Sequence, residues 1–326
     1  MNLPLSIGIT SNPRTWPILD GTVKVDGIDL IPTVLHPSEL FWRQLHFAEF
    51  AVSEMSCSSF LIVTAHGDTR FVGLPIFTTR RFFHTSILVS RKSGIEMPAD
   101  LKGKRVGVPE YQQTAALWAR GVLQHEFGVA AKDMEFWMER TPDKSHGGAT
   151  GFKPPPGVVV NQIPADKSIG SMMLAGELDA VLHYLSGRNL VDRSRADLTN
   201  NPDFKYLFSD PIAEGVRYYK KTGLLPINHQ AVVRRDVFEK EPWVVLNLIK
   251  AFNKANDIAN ERRVEHVADH LATGLLSGDA KTPLIHHGVK ANRKMIETIA
   301  QYSLEQALTP RLIGIDELYA PSALET

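Results

Sequence analysis

Short runs of β-branched and apolar residues alternate along this chain with longer stretches whose apolar residues recur every three or four positions. That alternation limits the fold more than any other feature, because strands interleaved with helices define α/β architecture. Leu5–Thr10 reads as a first strand, and Thr22–Val25 with Ile28–Ile31 as a hairpin about Asp26-Gly27. Ser38 is placed to cap a helix carrying Leu40, Phe41 and Leu45, followed by a short strand Ala51–Ser53 and a helix from Ser56. Phe71–Ser90 is strand-rich, but Pro75 confines part of it to an edge or a loop. Arg105–Val108 leads to a helix with Ala116, Ala119, Leu123 and Phe127 on one face, closed by Gly128. Strands at Val158–Val160 and Ala180–His183 flank a helix from Ser168. The last third is helical, with one helix starting at Pro242 and another from Lys290 towards Leu308. Residues 141–157 hold four glycines and four prolines, which predicts an irregular loop of the kind that forms lids.

A chain of 326 residues has room for about two domains. Its 36 basic and 36 acidic side chains cancel, which argues against a nucleic-acid or anionic-membrane partner. Cys57 is the sole cysteine, so neither a disulfide framework nor a cysteine zinc site is expected. The opening MNLPLSIGIT lacks the pattern of a secretory leader, and no run is apolar enough to span a bilayer. A cytoplasmic protein is therefore expected, with room left for a homo-oligomer.

Candidate chemistry lies in four places. Between Arg70 and His84 the chain packs Arg70, Arg80, Arg81, Phe82, Phe83 and His84, which suits an aromatic carboxylate. Tyr111, Gln112 and Thr114 sit where a strand turns into a helix, whose free amides favour an anion. Ser53-Glu54 ends a short strand, and His229 stands at the edge of another, where an imidazole can move protons at neutral pH. His266, His270, His286 and His287 read as solvated histidines, and no metal is expected.

Taken together these segments resemble the 4,5-dihydroxyphthalate decarboxylase family. The resemblance runs through Leu19-Asp20-Gly21, Ser53-Glu54-Met55-Ser56, Leu74-Pro75-Ile76-Phe77 with Arg80 and His84, and Lys104 to Gln112. It continues through Gly176–Ala180, Tyr218-Tyr219, His229, Val233–Val237, Pro242-Trp243-Val244, Asn292-Arg293 and the tail Glu317–Pro321. Phe83 stands where many relatives have an arginine, and His286-His287 replaces a Trp-Pro-Tyr type segment.

The resemblance implies a two-lobed, type II periplasmic-binding-protein-like α/β fold with two crossing hinge strands. Lobe one would comprise residues 1–90 and 226–326, lobe two residues 91–225, with the ligand between them. It implies a carboxy-lyase of phthalate degradation that turns 4,5-dihydroxyphthalate into protocatechuate and CO2 without cofactor or metal. His229 and His84 are expected as acid and base, with Glu54 as alternative base. Arg80 and Arg70 would clamp the carboxylate that stays, while Phe82, or its neighbour Phe83, crowds the one that leaves. Ser53, Tyr111, Gln112 and Thr114 would complete the substrate site. A solute-binding protein for an aromatic acid or sulfonate is the alternative. An iron-dependent thiamine-pyrimidine synthase of the same fold is excluded by the single cysteine.

Overall fold

The computed structural model describes all 326 residues. Four strands, β1 (Leu3–Ile9), β2 (Ile28–Val34), β3 (Val52–Ser56) and β4 (Phe71–Arg80), begin a first sheet. Six more form a second sheet: β5 (Leu88–Ser90), β6 (Arg105–Val108), β7 (Glu135–Met138), β8 (Val159–Gln162), β9 (Ala180–Val181) and β10 (Phe204–Tyr206). The chain then returns to the first sheet as β11 (Ile227–Arg234), giving the orders β2-β1-β3-β11-β4 and β10-β5-β9-β6-β7-β8. In the first sheet β1 pairs in parallel with β2 and β3, and β11 runs antiparallel to β3 and β4. Each sheet with its helices makes one lobe.

The helices in chain order are α1 (Trp16–Leu19), α2 (Pro37–Phe47), α3 (Cys57–Ala65), α4 (Thr114–Phe127), α5 (His146–Thr150) and α6 (Ile169–Leu174). After these come α7 (Pro211–Thr222), α8 (Arg235–Lys240), α9 (Val244–Ala272), α10 (Arg293–Glu305) and α11 (Ile315–Leu318). Ten successive residues of α4, Thr114–Leu123, are buried, because it is wedged between the lobes. A Cβ on Gly121 would sit 2.1 Å from the Tyr302 ring, so only glycine lets α4 meet α10 here. Trp118, fully buried, donates from Nε1 to the Ile227 carbonyl at 2.8 Å and so ties α4 to the start of β11.

The chain crosses between the lobes twice, and the crossings lie side by side. The Arg81 amide donates to the Pro226 carbonyl at 3.1 Å, and the Leu207 amide to the Ile87 carbonyl at 2.9 Å. Because β5 pairs with β9 and β10, the first crossing ends before Leu88, not at the lobe limit of residue 90 read from the sequence. Residues at or after the C-terminal ends of β2, β3, β6, β7 and β9 reach the crevice between the sheets, the usual ligand position in open α/β sheets.

Several local expectations change. Ile28–Val34 pairs in parallel with β1, and Thr22–Val25 contributes only an isolated bridge, so the hairpin is replaced by a turn at Gly27 (φ 73°). The cap of α2 is His36, not Ser38, with Pro37 in the first turn. The edge position expected around Pro75 holds, since β4 is an edge strand, and its register with β11 slips between Thr79 and Leu74. The long helix begins at Val244, with Pro242 just outside it. Within 141–157, Ser145 caps the short helix α5 despite its glycines.

Candidate active site

Between the lobes lies a cavity of about 240 Å³, at the small end for organic ligand sites. Its apolar lining is Pro37, Phe41, Phe83, Ala115 and Leu185, against a polar lining rich in histidine: His36, His146, His183 and His229. The N-termini of α3 and α4 meet at its floor, where Ser56 Oγ and Thr114 Oγ1 lie 2.8 Å apart and the Ser58 amide donates to Thr114 Oγ1 at 2.9 Å. Two helix starts aimed at one spot give it a positive potential.

His229 reaches the cavity because β11 is irregular. Its pairing with β4 shifts on either side of His229, and this brings Asn228 and His229, adjacent in a strand, into the same lining. Behind His229 stands the Glu54 carboxylate, 3.3 Å from Nδ1 and buried at the centre of the first sheet. The Thr10 amide and the Thr78 hydroxyl also donate to Glu54. Burial pushes the Glu54 carboxyl up, but the hydrogen bonds from His229, Thr10 and Thr78 outweigh it and hold the group below its ordinary value. A carboxylate there places the His229 proton on Nδ1, so Nε2, at the cavity wall, accepts a hydrogen bond from Asn228 Nδ2 at 2.8 Å. The Phe41 ring meets the imidazole edge-on at 4.7 Å and fixes its plane.

His36 has the complementary form. Its Nδ1 accepts the Ser38 amide at 3.3 Å, which leaves a hydrogen on Nε2. Burial lowers the pKa of His36, against the opposing charge of Asp192. His183 is held down to about 4 by burial, with the charge of Arg81 adding to it, and packs edge-on against Phe83 at 5.6 Å.

Two arginines line the cavity. Arg140 is spent on Glu110 at 3.0 Å, Asp192 at 2.6 Å and Ser38 Oγ at 2.6 Å. Burial lowers its pKa but the two carboxylates overcompensate, so it stays charged. Arg81 is exposed at the mouth and its guanidinium has no hydrogen bond or ion pair within the protein. It is the free cation of the site.

Of the residues expected from sequence, His229 and Thr114 line the cavity and Glu54 backs it. The others lie elsewhere. His84 faces away, bonded to Glu214 at 3.1 Å and pushed to about 4 by burial despite that carboxylate. Arg80 binds the His286 carbonyl at 2.9 Å and the Asn292 side chain, and burial brings it down to about 10. Arg70 caps the Leu45 carbonyl and pairs with Asp68 on the surface. Phe82 packs on Tyr218 and beside Gly215. Ser53 Oγ donates to the Glu54 carbonyl, Tyr111 stacks under Arg120 at 3.7 Å, and Gln112 binds Glu110 at 2.7 Å. Phe83, the alternative to Phe82, does line the cavity, and Arg81, Asn228, His36 and His183 join it there. Arg81 was one position away from Arg80, and His36-Pro37-Ser38, at the C-terminal end of a strand, was the signal for His36.

No group of three or more His, Cys, Asp or Glu side chains is arranged to hold a metal ion. No helix is long and apolar enough to cross a membrane.

A two-lobed α/β protein with a central cleft defines the periplasmic-binding-protein-like class, and solved structures agree. The aliphatic sulphonate binding protein SsuA from Escherichia coli superposes with a TM-score of 0.54 at 14% identity, covering 100% of both chains. The alkanesulfonate-binding protein SsuA from Xanthomonas axonopodis pv. citri, bound to MOPS, gives 0.53 at 16% identity, covering 98% of this chain and 97% of its own. No protein-family model matches the chain. Among curated proteins, the 4,5-dihydroxyphthalate decarboxylase of Comamonas testosteroni is 31% identical over 99% of this chain and 98% of its own length. That of Pseudomonas putida is 35% identical over 67% of this chain and 82% of its own. The chain belongs to the 4,5-dihydroxyphthalate decarboxylase family.

Proposed function

We propose that the chain is a carboxy-lyase that converts 4,5-dihydroxyphthalate to protocatechuate and CO2. The observation that carries this reading is the Glu54–His229 pair, whose Nε2 meets only Asn228 Nδ2 at 2.8 Å and borders a cleft whose one unpaired cation is Arg81. The names of the two relatives supply the substrate.

Each carboxylate of this substrate is para to a hydroxyl. The hydroxyl displaces Asn228 Nδ2 from His229 Nε2, which takes its proton, and the oxygen's electron pair moves through the ring to the para carbon. That carbon takes a proton from solvent at the open mouth. The bond to its carboxylate then breaks, its electron pair restores the aromatic ring, and CO2 leaves. His229 returns its proton to the phenolate, so the net reaction consumes one proton. His229 is the catalytic base, and Glu54 is a positioning residue that fixes its tautomer and stabilises the imidazolium. His36 Nε2–H is a hydrogen-bond donor for a substrate oxygen.

Tight binding of the departing carboxylate would stabilise the ground state as much as the transition state and slow the reaction. Arg81 and the helix starts at Ser56 and Thr114 therefore hold the carboxylate that stays. The apolar wall of Phe83 and Leu185 faces the one that leaves, where neutral CO2 is preferred over an anion.

The test is incubation with 4,5-dihydroxyphthalate while CO2 and protocatechuate are measured. Stoichiometric formation of both is expected. Saturable binding with neither product would instead identify a solute-binding protein.

A further inference from the structure

Away from the cleft, a second cavity of about 460 Å³ opens between the Pro13–Trp16 turn, the middle of α9 and Leu284-Ile285. It shares no lining residue with the cleft. Arg14, Arg262, Arg263 and His266 line it, and no acidic side chain does. Arg14 is committed to the Thr78 carbonyl, from Nε at 3.0 Å and Nη2 at 2.7 Å, and forms part of the wall towards Glu54. Arg262 and Arg263 have no ion pair. Asp20 and Asp279 lie near enough to feel their charges, yet Asp20 bonds to Thr22 and Asp279 to Lys281 and Thr282.

The opposite wall is apolar: Trp16, Leu225, Leu284 and Ile285, of which Trp16 and Leu284 are 50% and 58% exposed. At the back stands Asn256, only 4% exposed. Its Nδ2 donates to the Ile285 carbonyl at 2.8 Å, while its Oδ1 has no partner. Asn260 Nδ2 and Arg263 Nη2 are likewise buried and unpartnered. Buried polar atoms left without partners are uncommon in native proteins, and each is an open position for a ligand atom.

We propose that this cavity is a second binding site, for a small aromatic carboxylate that carries a hydroxyl group. The carboxylate pairs with Arg262 and Arg263, and Asn260 Nδ2 adds a donor. The ring lies against Trp16, Leu225 and Ile285, and the hydroxyl donates to Asn256 Oδ1. An apolar solute would leave both cations unpaired, and an inorganic anion would leave the apolar wall and the Asn256 oxygen unused. The inference rests on this cavity alone and holds whatever reaction the cleft performs.

The test is calorimetric titration of the full chain with 3,4-dihydroxybenzoate and, separately, with benzoate. Two sites per chain are expected for the hydroxylated acid. The double variant Arg262→Ala/Arg263→Ala should weaken one of them at least tenfold and leave the other, and any turnover, unchanged. Benzoate should bind the affected site several-fold more weakly than 3,4-dihydroxybenzoate. Asn256→Leu should erase that preference, and the wild-type comparison stands without it if this buried variant does not fold. No binding, or binding indifferent to the arginine pair, would overturn the proposal, whereas a single site that the arginine pair controls would support it and count against the cleft as a site for this acid. So would a change of oligomeric state in the arginine variant, because a second copy of the chain would then be the occupant.

Discussion

The two crossings between the lobes present their side chains to the cleft by opposite rules. In the first, alternate residues diverge: Arg81 and Phe83 line the cavity, while Arg80, Phe82 and His84 turn into the protein. In the second, the register shifts of β11 place Asn228 and His229 in the lining side by side. Regular alternation gives a crossing one working face and one structural face. An irregularity allows two consecutive polar residues to serve one site. In the proposed mechanism, proton transfer lies on the irregular crossing and anion holding on the regular one.

The sharpest way to break this contrast is at the irregular crossing. His229→Ala should lower kcat by roughly 10²–10⁴-fold, the usual range for a general base, with KM changed little. His84→Ala, with the same residue type on the inward face of the regular crossing, should leave kcat within a few-fold. Steady-state kinetics on both variants decide it, and equal losses of kcat would erase the distinction between the two crossings.

The second comparison is within the regular crossing. Arg81→Ala removes the only free cation of the cleft. At about 1.5–3 kcal/mol for a charge-assisted hydrogen bond, KM should rise by roughly ten- to a hundredfold. Arg80→Ala should leave KM near wild type and lower the melting temperature, because its guanidinium anchors the His286 carbonyl and Asn292. If Arg80→Ala raises KM and Arg81→Ala does not, the two faces are assigned the wrong way round.

This parity explains how much of the molecule the sequence discloses. The α/β class, most strands, the end of α4 at Gly128 and the existence of α10, though not its limits, follow from periodicity, because burial of one face writes itself into local composition. His229 and Glu54 are legible as residues at strand ends. The choice between Arg80 and Arg81 or Phe82 and Phe83 is not, because a one-residue change of phase exchanges every side chain between faces. Five residues, His84–Leu88, lead from a 3-10 turn into β5, and nothing in their composition shows that the strand starts only at Leu88. His36 and His183 meet His229 only through tertiary packing across distances no local pattern records. Arg140 is the converse: an arginine in the cleft that is already neutralised by Glu110 and Asp192, which lie 30 and 52 residues away in sequence.

The smallest expected effect is on stability and concerns two buried imidazoles, His84 and His287, and the half-buried His183 of the cleft wall. His84 and His183 are brought down to about 4 and His287 to about 3, each by burial first. His287 also uses Nδ1 to accept the Phe77 amide at 3.1 Å, a bond that requires the unprotonated nitrogen. Between about pH 6.5 and 4 the unfolded chain therefore binds these protons while the folded chain does not, so stability rises with pH across that window and falls on acidification. Each such histidine contributes up to about 1.4 kcal/mol per pH unit within the window. Glu54, held low by its three donors, adds to the loss only as the pH falls below the ordinary carboxylate range. Urea unfolding at pH 7, 6 and 5 should show a midpoint that declines increasingly below pH 6.5. His84→Gln should make that decline shallower by about one proton's worth, since glutamine can still donate to Glu214 and does not titrate. A midpoint independent of pH over this range would mean that these imidazoles are not desolvated, and that the inward face of the first crossing is open to water.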